Sequence, residues 1–390
     1  MNGSENKKTG NDLKLSSQIV HIGVRTDEKT GAISTPIYQT ASFQHPALDK
    51  TTGYAYTRSK NPTRQAAEDG IAVLEGGVAG FAFASGMAAI TAVLMLYKAG
   101  DHLLVLEDCY GGTYRVLNTL FNQFGIETTF FASQEFTAIS SLIKSNTKAI
   151  LIETPTNPLM NIIDIDKLAK ISKANKLHLI VDNTFLTPYL QRPLELGADI
   201  IIHSGTKYLA GHNDLLCGLV VVKEQELADK VLFIQNATGG ILGPNDSWLL
   251  IRGLKTLALR MDRHNYNAQL VAEWLENNPL VERVYYPGLS NHPGKDIQDK
   301  QASGYGGMIS FVLKDSALIP QILSSVKLIQ FAESLGGVES LITFPAKQTH
   351  ADIPVEARVR LGISDSLLRL SVGVEAVEDI IADLEQAIGK

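Results

Sequence analysis

Seven short apolar runs constrain this chain most: Phe81–Ala84, Leu103–Leu106, Thr128–Phe131, Ala149–Ile152, His178–Val181, Ile200–Ile202 and Leu219–Val222. Runs this short and this continuously apolar read as strands buried on both faces. Between them, 86–97, 113–124, 164–174 and 225–234 space their apolar residues by three and four, the helical period. The alternation predicts an α/β fold, a mostly parallel sheet covered by helices. Gly239-Gly240 and Gly243-Pro244 then punctuate the chain, and a long helical stretch over 247–277 leads into sparser material. That remainder carries strands near Met308–Leu313 and Leu368–Val372 and an amphipathic last helix over 376–388, which suits a smaller α+β domain. The expected division is an arm over residues 1–61, contacting a neighbouring subunit, an α/β domain over 62–256 and the α+β domain over 257–390.

Composition narrows what such a fold is for. Of the 390 residues 45% are hydrophobic, enough for a core that needs neither disulfides nor metals. Lysine plus arginine total 35 against 41 acidic residues, a net charge of -6 that argues against a nucleic-acid partner. The two cysteines, Cys109 and Cys217, form no CxxC, which suits a reducing compartment and excludes a cysteine zinc site. The segment Met1–Lys14 is polar, and the longest near-apolar run, Met87–Tyr97, is broken by Thr91, short of the roughly 20 residues that span a bilayer. The expectation is a cytoplasmic chain without membrane or metal partners.

The strongest chemical signal is Lys207, in His203-Ser-Gly-Thr-Lys207, directly after the apolar run Ile200–Ile202. Open α/β sheets bind ligands outside the carboxyl ends of their strands, and a lysine desolvated there becomes a Schiff-base nucleophile. Asp182 ends the preceding run, and a carboxylate at the mouth of a buried strand is costly unless something positive meets it. A protonated pyridine nitrogen meets that need, so the two strand ends together suit pyridoxal 5'-phosphate. Ser85-Gly86-Met87 opens a helix after another strand, either as a simple cap or as a phosphate site, and Ser204 and Thr206 add hydroxyls beside Lys207. Tyr110 precedes Gly111-Gly112, as a plain turn or as a ring face for a planar cofactor. Asn157 lies in Glu153-Thr-Pro-Thr-Asn-Pro158, where it can hydrogen-bond the ring oxygen. Arg369 sits inside an apolar strand, where it needs either a structural acid or the carboxylate of an amino acid substrate.

Rival chemistries find less support. Ser204-x-x-Lys207 matches an acyl-transfer SxxK motif but lacks the Ser-Asp-Asn and downstream Lys-Thr-Gly that accompany it. Neither GxGxxG nor GxxxxGK[ST] occurs, and His203 and His212 have no further ligand at metal spacing. A non-catalytic relative would have lost Lys207, Asp182 or Arg369, and all three are present.

From about His21 to its end the chain resembles the Cys/Met-metabolism family of pyridoxal phosphate enzymes, which has the aspartate-aminotransferase-like fold type I. The resemblance rests on Tyr56-Thr-Arg58, Asn61-Pro-Thr63, Ser85-Gly-Met-Ala-Ala89, Asp108-Cys-Tyr-Gly-Gly-Thr113, Glu153-Thr-Pro-Thr-Asn-Pro158, Asp182-Asn-Thr-Phe185, Ser204-Gly-Thr-Lys-Tyr208, Glu333-Ser-Leu-Gly-Gly337 and Leu368-Arg-Leu-Ser-Val-Gly373. It implies that Lys207 holds the cofactor and moves protons, Asp182 pairs with the pyridine nitrogen and Tyr110 stacks on the ring. It assigns the phosphate to Gly86, Met87, Ser204 and Thr206, with Tyr56 and Arg58 reaching in from a neighbouring subunit of a homotetramer built from active-site dimers. Asn157, Ser334 and Arg369 would orient the substrate carboxylate.

Within that resemblance Glu333 leans toward γ-chemistry, and Gly112 stands where methionine-cleaving relatives usually carry cysteine. Arg115 is a candidate for the distal charged end of the substrate, or simply a helix-surface arginine. The implied activity is α,γ-elimination of cystathionine, with γ-replacement on an O-acyl-homoserine and then β-elimination as alternatives. Lys347, Gln348 and Asp352 depart from the family pattern and bear on substrate identity.

Overall fold

The computed structural model describes residues 13–24, 27–133, 139–349, 351 and 355–389. The polar residues 1–12 of the N-terminal stretch, and Asp352, lie outside the described residues. All seven apolar runs are strands: β1 (Ala79–Phe83), β2 (His102–Leu106), β3 (Glu127–Phe131), β4 (Thr147–Glu153), β5 (His178–Asp182), β6 (Ile200–Ser204) and β7 (Gly218–Val222). They form one sheet in the order β1-β7-β6-β5-β4-β2-β3, in which only β7 runs against its neighbours.

The residues of each strand alternate between two cores. Leu104, Ile150, Leu179, Ile201 and Val221 pack on one face, and Val105, Leu151, Ile180, Ile200 and Val220 on the other. Burial on both faces explains why the runs are continuous rather than alternating. Each fully buried Leu, Ile or Val contributes about 1.5–3 kcal/mol. Helices Pro62–Glu75, Gly86–Leu94, Ile165–Ala174 and Gln225–Thr238 supply the layers. The first of them was not legible as a covering helix, although its Asn61 cap accepts from the N–H groups of Thr63 and Arg64 and Gly76 ends it in the left-handed region.

A second sheet, β8 (Val281–Tyr285), β9 (Met308–Leu313), β10 (Gln330–Phe331), β11 (Leu341–Thr343) and β12 (Leu367–Ser371), has the order β10-β11-β12-β9-β8. The helix Val377–Ile388 packs on it through Val377, Ile380 and Leu384. Two sequence expectations need correction. The stretch 247–277 is two helices, Pro244–Leu254 and Leu257–Asn277, parted at Lys255-Thr256. The helix expected over 113–124 is a short α-helical segment, Gly111–Arg115, then a wider π-type turn, Val116–Phe121, and a tight 3₁₀ turn, Asn122–Phe124. Among the described residues no helix is long and apolar enough to cross a membrane.

Candidate active site

The carboxyl ends of β4, β5 and β6 and the segment following β1 converge on a cavity of about 240 Å³. Lys207, Asp182, Tyr110, Ser85, Gly86, Met87, Ser204 and Thr206 line it, joined by Asn157, Glu333, Ser334 and Arg369. Twelve of the residues singled out from the sequence therefore meet in one place.

Lys207 lies in the turn after β6, and its Nζ donates to Ser334 Oγ at 2.9 Å. Desolvation, then the nearby Arg369 guanidinium, push its amine down to about 8, against an upward pull from Glu333. Ser334 holds a left-handed φ of 87°, a conformation that costs a non-glycine residue roughly 1–3 kcal/mol. The loop is fixed nearby: a Cβ on Gly336 would stand 2.7 Å from the backbone nitrogen of Tyr208, and Gly336 donates its N–H to Ser371 Oγ at 2.8 Å. The Gly-Gly of Glu333-Ser-Leu-Gly-Gly337 thus lets this loop lie directly on the lysine turn.

Asp182 ends β5 with both its hydrogen bonds on Oδ1, from the N–H (3.0 Å) and hydroxyl (2.5 Å) of Thr184. The Thr184 hydroxyl also accepts the N–H of Ser204 at 2.8 Å, tying β5 to β6. Desolvation pushes the Asp182 carboxyl up, and the Thr184 bonds and His203 pull it down. Among the described residues no cation forms a salt bridge with Asp182.

Ser85 caps the helix Gly86–Leu94 by accepting the N–H of Ala88 at 3.1 Å, and Gly86 and Met87, at that helix start, line the cavity. A Cβ on Gly86 would lie 3.1 Å from the Ser204 side chain, so the helix start and the end of β6 close on one another. Thr206 lines the cavity, but its hydroxyl already exchanges hydrogen bonds with the backbone of Cys217, at 3.2 and 2.9 Å.

Arg369, 2% exposed, gives Nη1 to Asn157 Oδ1 (2.8 Å) and Nη2 to the Ser334 carbonyl (3.0 Å) and Thr343 Oγ1 (3.3 Å). Its Nε has no partner, and among the described residues it makes no ion pair. Its hydrogen bonds go to neutral groups while the carboxyls of Glu153 and Glu333 act on it through space, and a substrate carboxylate would complete the set.

A strand-end carboxylate without a cation, a helix start beside two hydroxyls and a desolvated lysine together fit pyridoxal phosphate. They answer its basic ring nitrogen, its phosphate and its aldehyde respectively. Tyr110, 39% exposed, presents its ring at the same opening.

Three expectations fall elsewhere. Arg115 is exposed on Gly111–Arg115 and does not line the cavity. Tyr56 and Arg58, expected to serve a neighbouring subunit's site and not this one, line a surface hollow with Gln39, Thr40 and Gly239. Lys347 ends a tight turn outside the lining, and Gln348 takes the Phe344 N–H through Oε1. Conversely, Thr184, Phe185, Leu216, Leu335 and Thr349 line the cavity without having been singled out. A threonine two residues beyond a strand-end aspartate is a local signal that could have marked Thr184. Leu216 and Thr349 arrive by tertiary packing and leave no such trace.

A model of the family described as Cys/Met metabolism PLP-dependent enzyme matches residues 16–389. The chain is 52% identical to the cystathionine gamma-lyase of Bacillus subtilis over 376 residues, 96% of its own length and 99% of that protein's. It is 50% identical to the cystathionine beta-lyase of Lactococcus lactis subsp. cremoris over 376 residues, with the same coverage, 96% and 99%. It superposes on the crystal structure of the cystathionine gamma synthase of Xanthomonas oryzae pv. oryzae in complex with cystathionine with a TM-score of 0.94, at 39% identity, covering 96% of this chain and 98% of that one.

Proposed function

The chain belongs to the Cys/Met metabolism PLP-dependent enzyme family, and from that premise we propose that it cleaves L-cystathionine by α,γ-elimination to cysteine, 2-oxobutyrate and ammonia. It is a PLP-dependent carbon–sulfur lyase, with the fold type I architecture of its structural relatives. The three names carried by its relatives set the alternatives. Gamma-replacement on an O-acyl-homoserine by cysteine comes second and β-elimination third.

Bound pyridoxal phosphate supplies an electron sink for negative charge developing at the substrate α-carbon. The residues proposed to hold it are Asp182 at the ring nitrogen, Tyr110 on the ring face, and Gly86, Met87, Ser204 and Thr206 at the phosphate. Tyr56 and Arg58 would complete the phosphate site of a neighbouring subunit in a homotetramer, with the arm over 1–61 as the contact. The α/β domain over 62–256 then forms the floor and the domain over 257–390 the far wall. A cytoplasmic location is part of the same reading.

Lys207 is the proton carrier. Its desolvated amine, pushed down to about 8, is a competent base near neutrality, and Ser334 Oγ holds it toward the cavity centre. Arg369 orients the substrate carboxylate, with Asn157 fixing the plane of the guanidinium. Elimination at the γ-carbon requires a second deprotonation, at the β-carbon, and a proton for the departing sulfur. The observation that carries the γ-reading is Glu333, an exposed carboxylate on the cavity wall next to Ser334 and near enough to Lys207 to pull its amine upward.

Product identification after adding L-cystathionine tests the proposal. Cysteine with 2-oxobutyrate is the expected result, and homocysteine with pyruvate overturns it in favour of β-elimination. An enzyme inert to cystathionine that turns over O-acyl-homoserine plus cysteine is a synthase.

A further inference from the structure

Glu153, the last residue of β4, has no part in the roles above. It is 6% exposed and stands beside Asp182 across the β4–β5 ladder. Its carboxyl accepts two backbone N–H groups, that of Tyr110 at 3.0 Å and that of Asn157. Both residues line the cavity. Tyr110 presents the ring face, and Asn157 takes the Arg369 guanidinium at 2.8 Å.

We propose that Glu153 is a positioning residue whose single carboxyl fixes Tyr110 and Asn157 in one geometry, and so couples the seating of the cofactor ring to the binding of the substrate carboxylate. The proposal deepens the pyridoxal phosphate reading of this cavity and rests on it. Buried N–H groups need partners, and among the described residues the carboxyl that serves these two forms no ion pair. The groups around it are Asp182 on β5, Asp108 and Cys109 after β2, and Arg369 on β12. Desolvation, then Asp182 and Asp108, hold its carboxyl well above the usual carboxylate range, against the pull of the two N–H groups.

The test uses Glu153→Gln, which keeps one acceptor oxygen at full reach, and Glu153→Ala, which removes both. Three quantities are read: the dissociation constant for pyridoxal phosphate added to apoprotein, the visible circular dichroism of the bound cofactor, and KM against kcat. The expected result is graded and parallel. Cofactor affinity weakens about 3-fold in Glu153→Gln and about 10-fold in Glu153→Ala, the cofactor dichroism shrinks in the same order, and KM rises with it while kcat moves less. Unchanged dichroism in either folded variant overturns the proposal, as does a change in KM with cofactor affinity intact. If Glu153→Ala does not fold, the Gln variant decides alone on the same criteria. Both cofactor readouts are taken without substrate, so a wild-type protein that binds no pyridoxal phosphate overturns the cofactor reading itself, a distinct outcome.

Discussion

The floor of the cavity and its mouth are built differently. Asp182 and Lys207 stand at or just beyond strand ends that are buried on both faces, and hydrogen bonds through Thr184 and Ser334 hold them. Glu333 and Leu216 at the mouth are exposed, Leu216 by 66%, and Thr349 sits on the loop after a tight turn. The sheet positions the groups that every reaction of this cofactor class requires, whereas loops carry the groups that face the rest of the substrate. In the proposed roles, reaction class is fixed by the core, and choice among related substrates is left to residues whose replacement costs little stability.

Substitutions at the two ends break or sharpen this contrast. Lys207→Ala removes the proposed proton carrier and is expected to lower kcat by at least about 10³-fold, measured at saturating substrate. Arg369→Ala removes charge-assisted hydrogen bonds, each contributing about 1.5–3 kcal/mol, and is expected to raise KM by roughly 10- to 100-fold with a smaller change in kcat. Near-normal catalytic efficiency there would detach Arg369 from the substrate.

The pH dependence follows from the amine that desolvation lowers to about 8. Lys207 is cationic below that value and a free amine above it, so the rate at which apoprotein captures pyridoxal phosphate should rise with pH and level off near 8. An unshifted lysine would keep the rate climbing toward about 10.4. Stopped-flow capture across pH 6–10 separates the two.

At the mouth, Glu333→Gln is expected to reduce γ-elimination about tenfold, with a larger share of β-elimination products by chromatography. The smallest effect belongs to Arg115→Ala. Exposed and outside the lining, it should leave kcat/KM within about twofold; a larger fall would place it on the substrate's path.

The same contrast explains what the sequence made legible. All seven strands of the large sheet stood out because continuous burial imposes continuous apolar runs, and their ends shifted by at most two residues. In the second sheet, β8 is half exposed and carries Glu282 and Arg283, while β10 and β11 span two and three residues, too short to show a period. The break at Lys255-Thr256 has only Gly253, inside the last turn of the preceding helix, to announce it. Asp182 and Lys207 were readable from local context, as polar residues at apolar strand ends. Glu153 was visible in its motif, yet its contact with the Tyr110 N–H spans 43 residues. Leu216 and Thr349 owe their place to long-range packing, and Arg115, a candidate ligand in the sequence, stands outside the lining.

A single equilibrium titration reaches the central claim, that Asp182 on the floor anchors the cofactor while the mouth does not. Pyridoxal phosphate is added to the apoprotein forms of wild type, Asp182→Asn and Glu333→Gln, and binding is followed by the visible absorbance of the cofactor. The expected result is that wild type and Glu333→Gln superimpose while Asp182→Asn binds at least about tenfold more weakly. Equal affinity in Asp182→Asn, or a loss confined to Glu333→Gln, would contradict the account.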